Sequence, residues 1–68
     1  MRIKETLAAI RALGAVVRWD AEVEEYRINI PGGTEATACY TGDHEDAIGT
    51  AKAMMRHYHD KLANELRS

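Results

Sequence analysis

The last third of the chain leaves the rest little choice. From Asp43 to Leu66 the sequence reads as one amphipathic helix. In helical projection Ala47, Ile48, Ala51, Met54, Met55, Tyr58, Leu62 and Leu66 fall on one side, with Lys52, Arg56, Asp60 and Asn64 opposite. Such a stripe is buried only against another apolar surface, so the preceding residues must build one. A chain of 68 residues has room for a single thin core, since a domain this small hides only about 60% of its unfolded surface. At that size a dimer or another partner often supplies the missing stability.

Arg2 to Leu13 sets Ile3, Leu7, Ile10 and Leu13 on a helical seam, and Gly14 suits a left-handed stop. Ala15 to Asp20 then turns β-branched and aromatic, with Val17 and Trp19 sharing one face. After a connection at Glu22–Glu24, Glu25 to Ile30 alternates: Tyr26, Ile28 and Ile30 face one way, while Glu25, Arg27 and Asn29 face water. Pro31, Gly32 and Gly33 reverse the chain. A third strand is expected over Glu35–Thr41, with Ala36, Ala38 and Tyr40 inward. Asp43 is the expected N-cap of the last helix, with Asp46 at its third position. The predicted fold class is α+β in the order α-β-β-β-α: one domain with a three-stranded antiparallel meander and both helices on one face.

That topology gives the charges a place. Between residues 20 and 46 there are eight acids and one arginine, Arg27. A meander brings the first hairpin tip and the end of the third strand to the same rim, so Asp20, Glu22, Glu24 and Glu25 should meet Asp43, Glu45 and Asp46. Acids there cap a helix and keep a hairpin edge from pairing with neighbours. They also form a candidate partner-binding surface complementary to a basic protein groove.

No residue pattern carries catalytic, cofactor or metal chemistry. His57 and His59 are roughly 200° apart on a helix and cannot share an ion. Cys39 and His44 come close if the third strand runs straight into the last helix, but no orienting group or oxyanion donor accompanies them. Gly32 and Gly33 lie between strands and lack the lysine and hydroxyl of a phosphate loop. The small residues Gly49, Ala53 and Ala63 leave room for a second helix or a partner, and a homodimer joined through Gly49 and Ala53 or through an exposed sheet edge is an alternative. With one cysteine and no apolar run long enough for a signal peptide or membrane span, the sequence points to a reducing, cytoplasmic setting without membrane attachment.

Helix, three strands and helix is also the order of the double-stranded RNA-binding domain, and Gly49-Thr50-Ala51-Lys52-Ala53 resembles the start of that family's second helix. The phosphate-gripping lysine cluster is absent, and Asp43, Glu45 and Asp46 precede the helix instead, which argues against direct nucleic-acid binding. A weak RNA-binding module using Lys52, Arg56, His57 and the wet sheet face is the corresponding alternative. HicA-type toxins share the topology, but their sheet histidine has no counterpart between Arg18 and Thr41. The run Gly33-Thr34-Glu35-Ala36-Thr37-Ala38-Cys39-Tyr40-Thr41, continuing into Asp46-Ala47-Ile48-Gly49-Thr50-Ala51, looks like short bacteriophage and prophage proteins. That resemblance implies a non-enzymatic accessory protein of a bacterial host's cytoplasm, of the anti-CRISPR-like inhibitor kind, acting on a host protein complex with a basic surface.

Overall fold

The computed structural model describes residues 2–67. Helix α1 (Ile3–Ala12) is followed by β1 (Val16–Asp20), β2 (Glu25–Asn29), a 3-10 turn (Glu35–Thr37), β3 (Cys39–Thr41) and α2 (His44–Arg67). The strands form an antiparallel sheet in the order β1-β2-β3. Helix α1 lies over β1, α2 lies over β2 and β3, and the helices pack on each other.

The core follows the alternation in β1 and β2. Val17, Tyr26 and Ile28 are buried, and Trp19 and Ile30 pack against them. They meet Ile10 of α1 and Ala47, Ala51 and Met55 of α2. The alanines allow α2 to come close, and Met55 reaches Gly14, where a Cβ would sit 3.4 Å from its terminal methyl. Gly14 has φ +89° and ends α1. Thr6 is fully buried among these apolar residues, satisfied by donating from Oγ1 to the Arg2 carbonyl at 3.0 Å.

Three expectations are corrected. The third strand is only three residues long, and its register pairs Tyr40 with Arg27 and Cys39 with Ile28. Tyr40 therefore stands on the open face, 52% exposed, and Cys39 shares the inner face while remaining exposed. The cause lies upstream, where Thr34 and Thr37 close the 3-10 turn on each other. Thr37 N–H donates to the Thr34 carbonyl at 3.0 Å, and Thr34 N–H donates to Thr37 Oγ1 at 3.0 Å.

Asn29, expected to face water, is 2% exposed. The 3-10 turn folds back onto it, so that its Oδ1 accepts from Ile30 N–H at 2.9 Å and Thr37 Oγ1 at 2.7 Å, while Nδ2 donates to the Thr34 carbonyl at 3.0 Å. A buried amide with these partners costs little, whereas one without them would be expensive.

Leu62 and Leu66, expected in the core, are 39% and 87% exposed. Helix length explains this: 24 residues extend roughly 36 Å, whereas the five-residue strands β1 and β2 extend about 17 Å. The end of α2 runs past the sheet.

Candidate functional site

The two acidic segments do converge. Asp20 pairs with Glu25 at the end of β1 and β2, one step beyond the row formed by Trp19, Tyr26 and Thr41. Because Thr41 leads directly into Gly42 and Asp43, the start of α2 lies beside the hairpin tip. The approach is close: a Cβ on Gly42 would be 3.0 Å from the Glu24 carbonyl oxygen. Asp20, Glu22, Glu24, Asp43, Glu45 and Asp46 are exposed on this rim, and Glu25 is half-buried.

Two of these acids also hold local structure. Asp20 Oδ1 accepts from Glu22 N–H at 3.0 Å, bracing the hairpin loop. Asp43 Oδ1 accepts from Asp46 N–H at 2.8 Å and caps α2. The reciprocal half of a capping box is replaced, since Asp43 N–H donates to Thr41 Oγ1 at 3.3 Å. Glu24 takes φ +53°, a left-handed backbone that glycine adopts more easily. Asp20 and Glu25 face each other directly across the strands, an unfavourable like-charge pair.

The pole has an apolar component that the charge pattern did not reveal. Val23 stands 57% exposed among the glutamates of the tip. A valine in so short a connection has no core within reach, and that was the available sign. Beside it opens a cleft of about 500 Å³ lined by Arg2, Ile3, Trp19, Glu24, Gly42 and His44. Two of its lining rings pack on the buried Tyr26: Trp19 meets it edge-on at 4.7 Å between ring centroids, and His44 at 5.7 Å.

The other candidates do not assemble. His44 shares a hydrogen bond with the Tyr26 hydroxyl at 2.5 Å and is thereby committed to the sheet. His57 and His59 are exposed, and the described residues contain no group of three His, Cys, Asp or Glu side chains able to hold a metal ion. Lys52, Arg56 and His57 are exposed on α2, a layer away from Arg18 and Arg27 on the open face of the sheet, so the two basic sets do not combine. Gly49 and Ala53 are exposed, with open space around Gly49.

The open sheet face carries its own polar cluster. Arg27 donates from Nε to Glu35 Oε1 at 2.9 Å, with a second guanidinium nitrogen 2.7 Å away, and Tyr40 donates to Glu35 Oε2 at 2.6 Å. The hydrogen bond from Tyr40, followed by that from Arg27, holds the Glu35 carboxyl below its ordinary pKa, and the same cluster raises that of Arg27.

Among the described residues no helix is long and apolar enough to cross a membrane. In comparisons with known proteins, no family model, curated protein or solved structure matches the chain.

Proposed function

We propose that this protein works by binding another protein, with its acidic rim seated on a basic surface such as a nucleic-acid groove of a host complex. In this reading it is a non-enzymatic accessory inhibitor of phage type. The observation that carries the reading is the meeting of Glu22, Glu24 and Glu25 with Glu45 and Asp46 at one end of the sheet, around the exposed Val23. An anionic patch with an apolar centre suits a basic partner twice over. The charge speeds encounter and selects the partner, and the valine and the cleft beside it supply desolvated contact. Asp20 and Asp43 position the rim through their backbone hydrogen bonds, and the remaining acids present charge.

The test is capture from a bacterial host lysate, followed by competition with heparin as a polyanion that occupies basic grooves. Wild-type protein should retain a partner that heparin and high salt release. A variant with Glu22→Lys, Glu24→Lys, Glu45→Lys and Asp46→Lys keeps the structural aspartates and should lose that partner. Undiminished capture by the charge-reversed variant sinks the proposal.

A further inference from the structure

The final turns of α2 carry the core stripe beyond anything the domain itself can cover. Tyr58 packs against the core, but Leu62 is 39% and Leu66 87% exposed. A groove of about 160 Å³ opens beside them, lined by Ile30, Tyr58, Lys61, Leu62 and Glu65. A short helical end without tertiary packing is marginal in water. An apolar row at positions i, i+4 and i+8 is the surface a second helix packs against.

The charges beside the row say which helix fits. Lys61 and Glu65 lie one turn apart on the same flank of the Tyr58-Leu62-Leu66 row. An antiparallel mate related by a two-fold axis presents that flank in reverse order, so Lys61 of each copy comes opposite Glu65 of the other. A parallel mate brings the flank against His59 and Ala63, which offer no answering carboxylate. The antiparallel arrangement also sets Leu66 of one copy beside Tyr58 and Ile30 of the other, at the groove. A contact between Lys61 and Glu65 within one helix is compatible with this and would give a four-charge cluster.

We propose that the protein forms a homodimer through the overhanging end of α2, paired antiparallel with the same segment of a second copy. Because α2 starts at the acidic rim and overhangs at the other end of the sheet, the two acidic rims lie at the far ends of the dimer, and the inference does not depend on what they bind.

Light scattering and sedimentation over a micromolar-to-millimolar series test it. The wild-type mass should rise with concentration from 7.6 kDa toward twice that value. Leu66→Glu alters a side chain outside the core, so it should hold the monomer mass with helix content unchanged by circular dichroism. Lys61→Glu should weaken association roughly tenfold by opposing like charges, and adding Glu65→Lys should restore it. A wild-type protein that stays monomeric throughout, a dimer indifferent to Leu66→Glu, or growth past two copies overturns the proposal.

Discussion

The Tyr26 hydroxyl lies 2.5 Å from Nδ1 of His44, joining the middle strand to the first turn of α2. Tyr26 is fully buried and central to the core, so its polar atom needs this partner. Tyr26→Phe keeps the ring and removes the bond, and should cost about 1 kcal/mol. In a domain this small that lowers the melting temperature by roughly 4–8 °C. Thermal unfolding followed by circular dichroism measures it, and an unchanged midpoint would mean that water replaces the bond without loss.

Glu35 sets a pH dependence with a definite sign. Its carboxyl titrates below the ordinary value of 4.5 because Tyr40 and Arg27 hydrogen-bond the charged form. The stabilisation is therefore complete above the unfolded-state pKa and disappears as pH falls through the depressed folded value. In an NMR titration of the glutamate carboxyl carbons, Glu35 should have a midpoint below the ordinary glutamate value. Tyr40→Phe should move it back toward the ordinary value, since the tyrosine hydroxyl is the larger cause.

The sheet's inner face and the helices were legible because each rests on a strong period: Tyr26, Ile28 and Ile30 alternate, and Ala47, Ala51 and Met55 recur on one side of a helix. The shared acidic rim followed from topology alone. The existence of a third strand was legible, but its length and the facing of its side chains were not, because Ala36 to Thr41 alternates small and polar residues with no apolar phase. Its register was instead decided by the side chains of Asn29 and Thr37, which bond each other and the Thr34 backbone across the turn at Pro31–Gly33, a closure that strand periodicity does not report. The overhang of α2 was hidden for a different reason. Periodicity reports which side of a helix is apolar, but not how much of it the sheet can reach.

Gly33 and Gly32 separate two kinds of glycine requirement. A Cβ on Gly33 would lie 2.2 Å from Asn29 Oδ1 and 2.6 Å from Thr37 Oγ1, within the network that shapes the third strand. Gly33→Ala should cost about 1–3 kcal/mol by displacing that network, and the backbone amides of 34–38 should exchange faster with solvent. Gly32 has open space around it but φ +72°, so Gly32→Ala should cost about 1–2 kcal/mol from backbone strain alone and leave exchange in 34–38 unchanged. Equal exchange profiles for the two variants would contradict the assignment.

Glu24 tests whether the acidic rim carries strain for a purpose. A left-handed backbone costs a non-glycine residue roughly 1–2 kcal/mol, and the greater unfolded-state freedom of glycine returns about half of that. Glu24→Gly should therefore raise the unfolding free energy by about 0.5–1 kcal/mol in urea titration, while removing one charge from the rim. If the rim binds a basic partner, this more stable variant should capture less of it, with stability and binding moving in opposite directions as they do where strain is held at a working site. A gain in stability with capture unchanged would remove Glu24 from the binding surface. A loss of stability would show instead that its side chain supports the close approach of Gly42 to the hairpin tip.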